Sequence, residues 1–252
     1  MVKIKAENLC FAYDNGKRNI QALKGLDLEV KNGEFLCVIG ASGCGKSTLL
    51  RVLAGLEKPQ SGTVSIGGEE IHGTGADRMI VFQDYALFPW MTAKKNVSFA
   101  LKHAKHGDRL HADEKAVEFL RLVGMGDALD LYPSQMSGGM RQRVAIARAL
   151  AMDTDILLMD EPFGALDARI RGELQELLLK LWKSGERKKT VIFVTHDLNE
   201  AVLLADSVVF MEDGKIKEQV KIRLPRPRDL EKMCPCRERL MELFEEVERS
   251  EA

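Results

Sequence analysis

Hydrophobic positions near the N-terminus recur with period two: Val2, Ile4 and Ala6, then Leu26, Leu28 and Val30. That alternation predicts two half-buried antiparallel strands. The run FLCVI (35–39) has no polar face, as expected of a strand buried on both sides of a parallel sheet. A glycine-rich stretch and the pattern STLLRVLAGL come next, so strand, loop and helix follow one another. TVSIGGEEI (63–71) breaks at a Gly-Gly pair and predicts a hairpin, and MIVF (79–82) reads as a further short strand. From 92 to 152 the pattern is mostly helical, with helices predicted at 93–103, 112–123 and 138–151. Strands return at DILLMD (155–160), TVIFVT (190–195) and SVVFM (207–211). Helical segments at 167–184 and 198–205 lie between them, and EDGK (212–215) marks a hairpin turn. After Val220 the pattern fades: RLPRPRD reads as a strap, and 237–248 as an amphipathic helix.

The order predicts an α/β fold with a mostly parallel sheet, an N-terminal antiparallel β part and an inserted helical subdomain at 92–152. Residues 1–220 are expected to form one domain and 221–252 a C-terminal extension. Composition narrows the function classes. Lys plus Arg (37) nearly balance Asp plus Glu (38), so bulk charge gives no reason to expect nucleic acid or an anionic membrane surface as partner. No stretch approaches the roughly 18 apolar residues of a membrane span, and MVKIKAENLC has no apolar signal core; the chain is expected to stay in the cytoplasm. Cys10, Cys37 and Cys44 are scattered, and the Cys234–Cys236 pair lacks further ligands at zinc-like spacing. Neither a disulfide framework nor a zinc site is expected.

GASGCGKS (40–47) supplies the first chemistry. It matches G-x-x-x-x-G-K-[ST] and sits between a buried strand and a helix, where a phosphate-binding loop belongs. Gly40, Gly43 and Gly45 let the backbone turn its N–H groups inward, around Ser42 and Cys44. Lys46 carries a mobile charge toward β- and γ-phosphates; Ser47 offers a hydroxyl to Mg²⁺, with Thr48 beside it. Kinases, GTPases and motor ATPases share such a loop, so the second half of the chain must decide the reaction. ILLMDEP (156–162) delivers two acids at the end of an apolar strand. Asp160 is the candidate magnesium ligand, and Glu161, aimed differently, the candidate base for attacking water. VTHD (194–197) places His196 at another strand end, as a candidate partner of the γ-phosphate. In MSGGMRQR (136–143) two glycines open a helix, each costing roughly 1 kcal/mol relative to alanine. Ser137 is the expected N-cap, and the basic run Arg141, Arg143 and Arg148 is expected to be salt-bridged surface, with sensing of the site as the alternative.

Taken in order, these motifs resemble the ATP-binding cassette family, the nucleotide-hydrolysing subunits of ABC transporters, over about residues 3–217. The resemblance implies a phosphate-loop NTPase core, ATP and Mg²⁺ as cofactors, and a working dimer, homomeric or with a related cassette. It implies that Tyr13 in FAYDNG stacks on adenine and that Gln83 in VFQDYALFPW senses magnesium and contacts the membrane partner. The family signature L-S-G-G-Q appears as Met136-Ser137-Gly138-Gly139-Met140, departing at both ends. Ser137, Gly138 and Gly139 would contact the phosphate of a nucleotide held by another copy. GALD (164–167) resembles the loop that couples the two sites through Asp167. The helical insert resembles the subdomain that meets the transmembrane permease, where Phe88 and Trp90 would bind a coupling helix or simply pack.

Several segments together resemble the nitrate/sulfonate/taurine importer branch: QDYALFPWMTAKKNV, SGGMRQRVAIARAL, DEPFGALDA and LPRPR. That branch implies uptake of a small anion or sulfonate-like solute. Its partners would be transmembrane permease subunits and a periplasmic or lipid-anchored solute-binding protein, with the cassette on the cytoplasmic face of the inner membrane. The alternatives are an export or lipoprotein-release cassette, a cassette ATPase acting on DNA or translation, and a nucleotide-gated scaffold without turnover.

Overall fold

The computed structural model describes residues 2–14, 16, 19–104, 109–183, 188–228, 241, 242 and 245. The expected helix at 237–248 and the Cys234–Cys236 pair lie outside the described residues or at their margin. In chain order the elements are β1 (Val2–Asp14), β2 (Asn19–Lys31), β3 (Phe35–Gly40), α1 (Lys46–Ala54), β4 (Ser61–Ile66), β5 (Glu69–Glu70) and β6 (Arg78–Val81). They continue with α2 (Ala93–His103), α3 (Ala112–Leu122), α4 (Gly138–Ala151), β7 (Ile156–Asp160), α5 (Ala168–Lys183), β8 (Thr190–Val194), α6 (Leu198–Leu204), β9 (Ser207–Glu212) and β10 (Lys215–Lys221). The described residues of 1–75 and 188–252 form one compact unit, and those of 76–187 a second.

The first unit contains two sheets. An antiparallel one runs β2-β1-β4-β5. Its alternation buries Ile4 and Ala6, then changes phase and buries Leu9 and Phe11. The slip is a bulge around Asn8, whose φ is 49° and whose N–H donates to Asp27 Oδ1 at 2.7 Å. The other sheet runs β10-β9-β3-β8, with β3 parallel to both β8 and β9, and β10 returning antiparallel along β9. Every residue of β3 and β8 is buried, as their unbroken apolar runs require. Phe35 and Phe193 meet at 5.9 Å between ring centroids in this core.

The strap expected after Val220 is ordered on α6. Arg228 donates to the carbonyls of Val202 (2.7 Å) and Ala205, and Arg226 to Leu204 O and to Asp206 Oδ1 (2.6 Å). These are carbonyls of the last turn of α6, which lack intrahelical partners and carry the negative end of the helix dipole.

The second unit pairs β6 with β7 in parallel and packs α2, α3 and α4 against one another. Thr92 caps α2, accepting from Lys95 N–H at 3.3 Å. Asn96, fully buried, accepts from Phe88 N–H and donates to the carbonyls of Phe88, Met91 and Thr92, which pins the segment before α2. The arginines of α4 depart from the expected salt-bridged surface. Arg143 donates to Gly124 O at 3.0 Å, and Arg141 lies over the Tyr85 ring. Arg148 is buried and donates to Ala86 O (2.8 Å) and Tyr85 O (3.3 Å). Its place in the sequence explains this: Arg148 follows Val144 by one helical turn, on the apolar face.

Candidate nucleotide-binding site

In the first unit, β3 ends at Gly40 and the chain turns through residues 41–45 into α1. Gly45 precedes the helix with φ 104°, and a Cβ there would stand 2.3 Å from Ala22 O, so no side chain fits. No side chain caps α1, which leaves its first N–H groups directed at the loop. The Lys46 ammonium is drawn back over the loop, donating to Gly40 O (2.7 Å) and Ala41 O (2.6 Å), with Cys44 Sγ at 3.8 Å. Cys44 is buried, Ser42 and Gly43 are exposed, and Ser47 is half-buried on the first turn. Ser42, Gly43 and Cys44 also border an open depression of about 930 Å³. Tyr13 is tied to the same helix through its phenol, 3.2 Å from Thr48 Oγ1, and packs edge-on against Phe11 at 4.9 Å.

Val38 pairs with Val194 across β3 and β8, so the phosphate loop and His196 leave the same edge of this sheet. His196 is exposed, between buried Thr195 and half-buried Asp197. Asp197 caps α6 by accepting from Asn199 N–H at 2.8 Å.

The second unit carries the remaining candidates. Val81 pairs with Met159, so the chain segments bearing Gln83 and Glu161 leave neighbouring strand ends. Gln83 Nε2 donates to Glu161 Oε2 at 3.3 Å. Asp160 ends β7 with its side chain buried. Glu161 has φ 46°, a left-handed conformation that costs about 1–3 kcal/mol for a residue with a side chain and redirects the second carboxylate away from the first. Asp167 accepts from Ile170 N–H at 3.0 Å at the start of α5, and that bond holds its carboxyl below the ordinary carboxylate range.

Ser137 caps α4 as expected, its hydroxyl accepting from Met140 N–H at 3.3 Å. The two glycines after it answer to close neighbours as well as to a ligand. A Cβ at Gly138 would meet Tyr85 Oη at 3.1 Å, and one at Gly139 would meet Ala165 O at 3.2 Å. The signature turn therefore lies against both the segment after Gln83 and GALD. Met136, at the position where the family signature has leucine, is buried. Tyr85 was not singled out in the sequence, nor was the contact by which Arg148 donates to the carbonyls of Tyr85 and Ala86, residues at φ 68° and 42°.

A family model described as ABC transporter matches residues 23–164. The chain belongs to the ABC transporter family. The cassette is 52% identical over 232 residues to an uncharacterised ABC transporter ATP-binding protein of Methanocaldococcus jannaschii, covering 90% of this chain and 85% of that one. It is 46% identical to the bicarbonate transport ATP-binding protein CmpD of Synechocystis, over 94% of this chain and 82% of that protein. It is 48% identical to the nitrate import ATP-binding protein NrtD of Synechococcus elongatus, over 83% and 77% respectively. Its fold matches the dimeric post-hydrolysis structure of the cassette MJ0796 bound to ADP and Pi, with TM-score 0.81 and 35% identity over 88% of this chain and 100% of that one. The cassette is an ATP-binding, ATP-hydrolysing subunit of a transport system. Among the described residues no helix is long and apolar enough to cross a membrane.

Proposed function

We propose that the cassette powers uptake of a small inorganic anion through separate permease subunits at the cytoplasmic face of the membrane, together with a solute-binding protein. The observation that carries this reading is the identity of 46% and 48% to the bicarbonate and nitrate transport subunits. Residues 1–220 act as the ATPase domain, and two cassettes pair.

Each residue's proposed role follows from its chemistry. Tyr13 stacks on the adenine. Residues 40–45 and the N-terminus of α1 receive the phosphates, and Lys46 exchanges its loop carbonyls for β- and γ-phosphate oxygens. Ser47, Gln83 and Asp160 are the proposed Mg²⁺ ligands. The set is all oxygen with a single carboxylate, which suits an ion that keeps several waters and takes its remaining ligands from phosphate. When bound, Mg²⁺ neutralises charge developing on the phosphates. Glu161, accepting from the Gln83 amide, is held to orient the attacking water, and His196 hydrogen-bonds the γ-phosphate. Ser137, Gly138 and Gly139 offer their helix terminus to the nucleotide of the second cassette, and Asp167 couples the two sites.

Glu161→Gln is expected to abolish steady-state hydrolysis while ATP-dependent pairing, read by size-exclusion chromatography, persists; substantial turnover by this variant removes Glu161 from its role. Mixing a Lys46→Ala chain with a Ser137→Arg chain tests the pairing: hydrolysis recovered in the mixture supports composite sites, and none refutes them. Copurification with a permease, and bicarbonate- or nitrate-dependent stimulation of the reconstituted system, test the transport assignment.

A further inference from the structure

Glu200 is a buried carboxylate that the roles above do not use. It lies on α6, four residues after His196, among the buried apolar residues Ala201, Val202 and Leu204. Burying a carboxylate carries a large desolvation cost, which a leucine at this position would avoid. The Thr195 hydroxyl donates to Glu200 Oε2 at 2.6 Å. The same oxygen of Thr195 accepts from Asp197 N–H at 3.0 Å, and Thr195 N–H donates to Val38 O at 3.2 Å. A threonine hydroxyl has one proton, and the lone pair facing Asp197 N–H is already committed, so the proton must find an acceptor elsewhere. Glu200 supplies it. The rotor of Thr195 is thereby fixed, and with it the backbone on both sides of His196. The far end of the same helix is clasped by Arg226 and Arg228.

We propose that Glu200 is a positioning residue that acts through Thr195 to hold His196 where it meets the γ-phosphate. This rests on the role given to His196 above. Misplacing a catalytic group by about 1 Å costs on the order of 100-fold in rate. Glu200→Leu and Thr195→Val are therefore expected to lower kcat about 10- to 100-fold, with KM for ATP changed less than about twofold. Thr195→Ser, which keeps the hydroxyl, restores turnover, and Glu200→Gln, which keeps an oxygen acceptor, retains most of it.

The deciding measurement is a cycle with His196→Ala. If Glu200 works through the histidine, His196→Ala/Glu200→Leu is no slower than His196→Ala alone. A merely structural role makes the two losses multiply, and that result overturns the proposal, as does wild-type kcat in Thr195→Val. Wild-type turnover in His196→Ala instead removes the role of the histidine itself, and the proposal with it. Thermal melting accompanies each variant, and the near-isosteric Thr195→Val and Thr195→Ser pair carries the test if Glu200→Leu does not fold.

Discussion

Replacing Arg148 by Met removes a buried guanidinium that donates to two carbonyls, Ala86 O at 2.8 Å and Tyr85 O at 3.3 Å, beneath the Phe88 ring at 5.8 Å. Hydrogen bonds from a charged donor contribute about 1.5–3 kcal/mol each, and the ring contact about 1 kcal/mol. Against that gross gain of about 4–7 kcal/mol stands the desolvation of the cation, which burial makes large enough to pull the Arg148 pKa down. The methionine recovers that cost and fills part of the volume, so the net loss is about 2–4 kcal/mol. Two residues at positive φ, Tyr85 at 68° and Ala86 at 42°, also lose the donor to their carbonyls. For a chain of this length each kcal/mol moves the melting temperature about 2–4 °C, so Arg148→Met is expected to melt about 4–16 °C below wild type by scanning calorimetry. Arg148→Lys keeps the charge but concentrates it at one point, and is expected to recover about half of the loss. A melting temperature for Arg148→Met within about 1 °C of wild type would refute the claim that this side chain holds the segment after Gln83.

Gly45→Ala forces a Cβ to within 2.3 Å of Ala22 O at a φ of 104°; it is expected to destabilise the fold by about 2–4 kcal/mol and to abolish ATP binding, read by urea denaturation and by nucleotide titration. Ser137→Ala removes the cap of α4 and is expected to lower the unfolding free energy by about 1 kcal/mol, read from urea denaturation. The Asp113 carboxyl lies below the ordinary carboxylate range because the Ser98 hydroxyl and then the Lys102 ammonium bond to it. Its folded pKa is depressed, so its contribution is complete above the unfolded value of about 3.9 and is lost as pH falls through the lower folded value. Asp113→Asn should therefore flatten the acid limb of stability against pH below about 4, a small effect at so exposed a group.

The strands of the sheet around β3 were legible because burial on both faces leaves no polar position in FLCVI or VIFV, and the phosphate loop because its glycines and lysine have fixed spacing. The antiparallel strands were only half legible. The phase of the alternation shifts at the Asn8 bulge, so the pattern of Ile4 and Ala6 does not carry over to Leu9 and Phe11, and β1 reads shorter than it is. Charged residues misled in one direction. Arg148 was read as surface by residue type, whereas its helical position next to Val144 and Ala147 pointed inward. Tyr85 and Glu200 escaped because their importance lies in what they touch across the fold, a signature glycine in one case and the residue before His196 in the other. No spacing along the chain encodes such contacts.

The two arginines of the strap bear on how the chain is best shortened. Hydrophobic patterning ends near Val220, and a cut there would look harmless by composition. It would leave the carbonyls of Val202, Leu204 and Ala205 without the guanidinium donors that now serve them, at the far end of the helix that follows His196. The smallest fragment worth purifying thus runs through Arg228, and appended tags or fusion partners belong beyond it.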